Sequence, residues 1–217
     1  MKIDLFKKIL IDNRRLISQI DFIERDILLE DNLNYVFVGL RQAGKSYLMY
    51  QRIHQLLKMG HTMDEIIYVN LDDERLYDIA LEDLDLILQA HYQLNDCKPI
   101  IFLDEIQNID GWHLFVNRLL RQRMHIVVTG SNAKLLSGEL ATHLTGRNDQ
   151  IELYPFSFAD WCHCKGVDLE SKTTKAEALR RAAFDEYLKQ GGFPELLNAK
   201  NRTRYVGNLV NNILKRD

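Results

Sequence analysis

Apolar residues recur along this chain at two different spacings, and their alternation predicts an α/β fold. In residues 2–30 they return every three, four or seven positions, at Leu5, Ile9, Leu16, Ile20, Ile23 and Ile27, which predicts one long N-terminal helix. Beyond residue 32, continuous apolar runs alternate with segments of helical period, as expected when helices cover both faces of a parallel sheet. The predicted strands are 33–38, 66–71, 99–103, 125–129 and 150–153. The predicted helices are 45–59, 76–92 and 112–122, with a short helical stretch before the last strand.

The pattern changes after Pro155. Residues 156–217 lack strand signals and predict helices over 157–164, 175–190 and 202–215, with a rigid turn at 191–194. We therefore expect two domains. Residues 1–155 form a mainly parallel five-stranded sheet domain with an N-terminal helix, and residues 156–217 form a small helical lid subdomain.

Composition and charge exclude several classes of protein. The net charge is −3, so no global basic field favours non-specific binding to nucleic acid. No apolar stretch approaches the ~20 residues of a membrane span, and the start of the chain is not a signal peptide, so we expect a cytoplasmic protein. The three cysteines do not indicate a disulfide framework, and Cys162-His163-Cys164 lacks a second cluster that would complete a zinc site.

The strongest motif follows the first predicted strand and reads G-x-x-x-x-G-K-S. Two glycines at this spacing let the backbone N–H groups point inward as an anion-binding nest at the start of a helix. Lys45 would reach the β- and γ-phosphates, and the Ser46 hydroxyl would bind Mg²⁺. The predicted nucleotide-binding residues are Gly39, Leu40, Arg41, Gln42, Ala43, Gly44, Lys45, Ser46 and Tyr47.

Two carboxylates, Asp104 and Glu105, end the third predicted strand. An apolar strand that ends in an acidic residue is the second nucleotide motif, Walker B, and the carboxyl ends of such strands meet at the ligand-binding edge of the sheet. Asp104 would hold Mg²⁺ together with Ser46, and Glu105 would orient a water molecule for attack on the γ-phosphate. The pattern therefore predicts a nucleoside triphosphate and Mg²⁺ as cofactors and a P-loop NTPase fold, a three-layer α/β/α sandwich.

Further polar residues follow the fourth strand. Ser131, Asn132 and Thr129, in that order, are candidates to sense the γ-phosphate or position the water, and Ser and Asn also suit a helix cap. Arg147 is the best candidate for an arginine finger, supplied within the chain or by a neighbouring subunit, with a surface ion pair as the alternative. Arg41 could contact phosphates or a neighbouring subunit.

These motifs together resemble a group of bacterial and archaeal AAA-type ATP-binding proteins. The motifs that carry the resemblance are G-L-R-Q-A-G-K-S, I-I-F-L-D-E-I-Q, V-V-T-G-S-N-A-K-L-L, L-T-G-R, I-E-L-Y-P-F-S-F and G-G-F-P-E, in the order of the family and over nearly the whole chain. The resemblance implies ATP over GTP, an oligomer, and an additional-strand sheet in which the Walker B strand lies beside the strand of the phosphate loop. It also implies the roles given above for Lys45, Ser46, Asp104 and Glu105.

The chain departs from this family at two points. Ser46 and Tyr47 stand where relatives often have two threonines, which preserves the hydroxyl for the metal. Relatives usually continue into a C-terminal domain of unknown function, and this chain stops near the point where that domain would begin. We expect either a truncated chain or a short relative, with the biological output in the part that follows.

Two functions from different classes fit these observations best. The first is a Mg²⁺-dependent ATPase that couples hydrolysis of ATP to ADP and phosphate to a conformational change. The second is a nucleotide-gated regulatory switch with slow hydrolysis or none. A small-molecule kinase is a weaker third, because Asp104 and Glu105 are adjacent and no arginine-rich acceptor lid is evident. The predicted partners are ATP or ADP, a further copy of the chain, and an unidentified protein or DNA.

Overall fold

The computed structural model describes residues 2–31, 33–131, 148–197, 199 and 201–216, and within them strands alternate with helices. The strands are β1 (Tyr35–Gly39), β2 (Ile66–Asn70), β3 (Ile100–Asp104), β4 (His125–Ser131) and β5 (Asp149–Leu153). The helices are α1 (Lys2–Gln19), α2 (Lys45–Lys58), α3 (Asp85–Leu94), α4 (Trp112–Arg121), α5 (Phe158–Lys165), α6 (Thr174–Gln190) and α7 (Arg202–Arg216). The predicted helical stretch between β4 and β5 lies outside the described residues.

The five strands form one parallel sheet in the order β2-β3-β4-β1-β5, which confirms the predicted fold class. In the paired register Tyr68 of β2 lies opposite Phe102 of β3, and Phe102 lies opposite Val127 of β4. One detail of the expected sheet was wrong. The Walker B strand β3 does not lie beside β1, because β4 is inserted between them.

Helices cover the two faces of this sheet. Residues of one strand face, such as Val38, Val69 and Leu103, share a large buried core with α1, α3 and α4. On the opposite face, Tyr50 of α2 packs against Tyr68 of β2, with ring centroids 5.3 Å apart. Alternate residues of each strand therefore face opposite sides of the sheet. The last residue of β3 lies on the side that α2 covers.

The predicted helix over 2–30 was too long, since α1 ends at Gln19. Residues 20–30 run without regular structure. Side chains of α2 bind their main chain instead: Gln51 accepts a hydrogen bond from Arg25 N–H and donates to its carbonyl, at 2.9 and 2.8 Å. The buried Arg52 donates to the carbonyl of Glu30 at 2.9 Å. The apolar spacing of this segment therefore did not produce a helix.

The predicted helix over 76–92 was also wrong in its first half. Two 3-10 turns, Glu74–Leu76 and Leu81–Asp83, precede α3. Asp73 accepts a hydrogen bond from the N–H of Arg75 at 3.0 Å, and Asp83 accepts one from the N–H of Ala80 at 3.2 Å. Aspartate side chains that bind nearby main-chain groups compete with a continuous helix, which explains why the period did not produce one.

The chain divides into two compact units. The first comprises Met1–Val38 and Lys45–Glu152, and the second comprises Gly39–Gly44 and Leu153–Asp217. The small core of the second unit is formed by Trp161, Cys162 and Ala183, with aromatic rings around it. Of the helices that the structure describes, none is long and apolar enough to cross a membrane. The predicted domain boundary after residue 155 stays a prediction.

Candidate functional site

The phosphate loop is shaped mainly by its backbone. Gly44 has φ +99°, a conformation that residues with a side chain rarely adopt, and an added Cβ there would meet no atom within 4 Å. At Gly39 a Cβ would lie 2.2 Å from the carbonyl oxygen of Leu153 in β5. The first glycine is therefore required by close packing as well as by the turn, which the sequence pattern did not reveal.

Gln42, inside the loop, has a left-handed backbone with φ 61°. Its Oε1 accepts a hydrogen bond from the hydroxyl of Tyr205 in α7 at 2.6 Å, and both residues belong to the second unit. Burial, and then the neighbouring Glu195 carboxylate, raises the pKa of Tyr205. A loop residue is thus tied to the C-terminal helix through one neutral hydrogen bond.

Lys45 and Glu105, which the sequence assigned to separate roles, lie next to each other. The Nζ of Lys45 is 3.7 Å from Oε1 of Glu105, and the lysine side chain is only 4% exposed. The other carboxylate oxygen of Glu105 accepts a hydrogen bond from Gln107. Glu105 also has a left-handed backbone, with φ 53° and ψ 45°, at the point where β3 ends. Its side chain is 21% exposed.

Asp104 is fully buried, and donors from both neighbouring strands bind its carboxylate. Its Oδ2 accepts a hydrogen bond from the Tyr68 hydroxyl at 2.7 Å. Its Oδ1 accepts one from the hydroxyl of Thr129. A buried carboxylate is tolerated when such donors satisfy it, so β2 and β4 together create the environment that this residue needs.

Thr129 connects the two carboxylate residues. Its hydroxyl donates to Asp104 and accepts a hydrogen bond from the main-chain N–H of Glu105 at 2.9 Å. The side chain is fully buried, and its hydroxyl already has both an acceptor and a donor as partners. Thr129 therefore supports the carboxylates here, whereas the sequence listed it third among residues that sense a phosphate or hold a water.

Tyr68 and Tyr50 were missed by the sequence reasoning. Because the Tyr68 proton goes to Asp104, the Tyr50 hydroxyl donates to Tyr68, with the two oxygens 3.1 Å apart. Burial, and then the negative charge of Asp104, raises the pKa of Tyr68 well above its ordinary value, and burial raises that of Tyr50. The available signal was a tyrosine in an otherwise aliphatic strand, Ile66-Ile67-Tyr68-Val69, but its partner depends on strand order.

The donor set suits magnesium. Mg²⁺ prefers oxygen ligands and is usually held by one or two protein groups plus substrate phosphates. Asp104 provides carboxylate oxygens, and Ser46, at the start of α2, provides a hydroxyl. Among the residues described here, no group of three or more histidine, cysteine or acidic side chains could hold a metal ion by itself.

The remaining predicted residues are partly described. Tyr47 is half-exposed and contacts the ring of Tyr50 edge-on, and the Nε of Arg41 is buried with no hydrogen-bond partner in the described structure. Ser131 ends β4. Asn132 and Arg147 lie outside the described residues, so the arginine finger stays a prediction.

Comparison with known proteins agrees with the fold. Residues 31–162 match the family described as AAA domain. An uncharacterized protein of Methanocaldococcus jannaschii is 37% identical over 197 residues, which is 88% of this chain and 43% of that protein. An uncharacterized protein of Haemophilus influenzae is 35% identical over 190 residues, which is 86% of this chain and 46% of that protein. The chain therefore spans less than half the length of these relatives.

Among solved structures, AMPPCP-bound DnaA from Aquifex aeolicus is one that this chain matches. It matches with a TM-score of 0.48 and 14% identity over 88% of this chain and 57% of that one. The family match covers more than half of the chain and includes the phosphate loop and the Walker B strand. The resemblance inferred from the sequence motifs is confirmed, and this protein belongs to the AAA domain family.

Proposed function

We propose that this protein is a Mg²⁺-dependent ATPase that couples hydrolysis of ATP to ADP and phosphate to a conformational change. The observation that carries the proposal is the Thr129 hydroxyl, which joins the Asp104 carboxylate to the main chain of Glu105, with Lys45 3.7 Å from the Glu105 side chain. A lysine at the phosphates, an aspartate at the metal and a residue that orients the attacking water recur in P-loop enzymes that hydrolyse nucleotides, and Lys45, Asp104 and Glu105 are the candidates for these roles.

Each side chain would contribute a separate step. The loop N–H groups and Lys45 bind the β- and γ-phosphates, and Ser46 with Asp104 would hold the metal. Mg²⁺, when bound, would neutralise charge that develops on the phosphate oxygens. Asp104 is suited to this because it is fully buried and two hydroxyl donors fix its carboxylate, whereas the Glu105 side chain is 21% exposed.

Glu105 would act as the group that orients the attacking water. In this structure its carboxylate faces Lys45 and Gln107. Phosphate oxygens that bind Lys45 would replace Glu105 as the partner of its ammonium group. Glu105 would then be able to accept a proton from water, and this exchange would link ATP binding to the hydrolytic step.

The test compares ATP hydrolysis and ATP binding in three proteins. Glu105→Gln should lower the turnover rate by at least about 100-fold, the lower end of what a positioned general base contributes, and should leave ATP affinity close to that of the parent. Glu82→Gln makes the same chemical change at an exposed site and should behave like the parent. If Glu105→Gln hydrolyses ATP as fast as Glu82→Gln, the assigned mechanism is wrong.

A nucleotide-gated switch is the second candidate, and the hydrogen bond between Tyr205 and Gln42 favours it. A loop that binds phosphate would change the position of Gln42, and α7 would report that change through Tyr205. Tight ADP retention with negligible hydrolysis would support the switch. Rapid multiple turnover stimulated by DNA or protein would contradict it, so the assay is run on the longest native chain with and without DNA.

The predicted action of Arg147 on a neighbouring subunit requires an oligomer. If Arg147 acts in a neighbouring subunit, an inactive Glu105→Gln chain with an intact arginine should partly rescue an Arg147→Ala chain in a mixture. No gain in the mixture over the Arg147→Ala chain alone would count against action in trans. Stimulation of ATP hydrolysis by DNA or by a protein would indicate which kind of partner the energy of ATP acts on.

A further inference from the structure

We propose that Tyr68 is a positioning residue for magnesium: its hydroxyl holds one oxygen of Asp104, so that the carboxylate presents its free lone pairs to the metal in a single orientation. The proposal rests on the proposed function, because Mg²⁺ with ATP is the ligand concerned. It assigns a role in the site to β2, a strand that carries neither nucleotide motif.

The geometry shows that Tyr68 orients Asp104 without blocking it. A carboxylate has about four lone-pair positions, two on each oxygen. The Tyr68 hydroxyl uses one on Oδ2 and Thr129 uses one on Oδ1. One position remains on each oxygen for a metal or a metal-bound water. The two donors approach from β2 and β4, the strands on either side of β3, so the carboxylate cannot rotate without breaking a hydrogen bond.

Tyr68 is itself held in place. Its ring is buried, its backbone is fixed opposite Phe102 by strand pairing, and its oxygen accepts the hydrogen bond from Tyr50. Donor groups that orient metal ligands typically change metal affinity or activity by about 10–100-fold when they are removed.

A purely structural role would have a different consequence. Loss of packing at Tyr68 would weaken ATP binding with and without metal, because the whole site would be disturbed. Loss of positioning affects only the part of ATP affinity that depends on Mg²⁺. Under the proposed function, the phosphate loop and Lys45 would also bind ATP in the absence of metal, which gives an internal reference within each variant.

The experiment measures affinity for a fluorescent ATP analogue in EDTA and during titration with Mg²⁺. Tyr68→Phe should need about 10-fold more Mg²⁺ to reach half of the metal-dependent gain in affinity, while its affinity in EDTA is unchanged. Tyr50→Phe is the matched control. It removes the next hydroxyl in the same chain of hydrogen bonds but leaves the Tyr68 donor to Asp104, so its Mg²⁺ dependence should stay close to that of the parent.

Thr129 gives an independent test of the same arrangement. Thr129→Val keeps the volume but removes the donor to Oδ1, and Thr129→Ser restores a hydroxyl. Thr129→Val should shift the Mg²⁺ dependence as Tyr68→Phe does, and Thr129→Ser should return it towards the parent. Equal Mg²⁺ dependence in Thr129→Val and Thr129→Ser would contradict the idea that hydroxyl donors orient this carboxylate.

The outcomes separate this proposal from the proposed function. A parent protein that does not bind ATP, or binds it without Mg²⁺ dependence, overturns both. A parent that binds Mg·ATP but does not hydrolyse it overturns only the ATPase. Unchanged Mg²⁺ dependence in Tyr68→Phe, or an equal loss of affinity in EDTA and in Mg²⁺, overturns the positioning role alone.

Discussion

The phosphate loop and the end of β3 carry the two nucleotide motifs of this protein and are built by opposite means. In the loop, residues 39–44, backbone conformation determines the shape. Gln42 and Gly44 have positive φ, and Gly39 has no room for a side chain. At the end of β3, side-chain hydrogen bonds determine the geometry, since Asp104 is buried between two hydroxyl donors.

This difference predicts how each region responds to substitution. A site made from backbone N–H groups depends on glycines and tolerates changes in side chains that point away from the ligand. A site made from a buried carboxylate depends on every donor that satisfies it, because an unpaired buried polar group costs about 1–3 kcal/mol. Unfolding free energies of the following variants, measured by urea denaturation, test the comparison.

The largest effect is expected at Gly39. In Gly39→Ala the new Cβ would lie 2.2 Å from the carbonyl oxygen of Leu153, so β1 and β5 must separate. The free energy of unfolding should fall by more than about 3 kcal/mol, the upper part of the usual range for overpacking. Gly60→Ala is the control: its φ is +102° but nothing lies within 4 Å, so it measures backbone strain alone. Equal losses in both variants would show that the clash is relieved.

Thr129→Val should have the next largest effect. It leaves both Oδ1 of Asp104 and the N–H of Glu105 without their partner while keeping the buried volume. We expect a loss of about 2–4 kcal/mol, since two buried groups lose a hydrogen bond. Thr129→Ser keeps the hydroxyl and should recover most of this loss. If Thr129→Val is as stable as Thr129→Ser, the two hydrogen bonds of the Thr129 hydroxyl contribute nothing to the free energy of unfolding.

Tyr68→Phe should lower the free energy of unfolding by a smaller amount, about 1–2 kcal/mol. One acceptor oxygen of Asp104 and the donor hydroxyl of Tyr50 lose their partner in this variant. Tyr50→Phe removes only the outer hydrogen bond and should be less destabilising than Tyr68→Phe. The double variant should cost less than the sum of the two, because both changes break the same contact. Additive losses would contradict a connected chain of hydroxyl groups.

The smallest effect is expected in the loop region, at Tyr205→Phe. It removes one neutral hydrogen bond to the exposed side chain of Gln42 and should change the free energy of unfolding by less than about 1 kcal/mol. Gln42→Ala should have a similar effect on that contact. A loss larger than that of Tyr68→Phe would show that side chains matter as much in the loop as at the end of β3.

The secondary structure was predictable where local patterns decide it. All five strands lie within one or two residues of their predicted ranges, because continuous apolar runs between turn residues favour buried strands. The failures lie at residues 20–30 and 76–84. In both segments a side chain satisfies main-chain groups that a helix would have used, namely Gln51 for Arg25 and Asp83 for Ala80. An apolar period does not record such competition.

The candidate site divides in the same way. Lys45, Ser46, Asp104 and Glu105 are recognisable in the sequence because phosphate and metal chemistry requires those residue types at fixed local spacing. Tyr68 and the committed hydroxyl of Thr129 are not recognisable, since they reach Asp104 from other strands. Their contribution depends on the order β2-β3-β4 and on the register between the strands. Local spacing thus specifies the groups that we propose for nucleotide binding, whereas long-range strand pairing decides which side chains hold them, because hydrogen bonds between strands form only after the sheet is assembled.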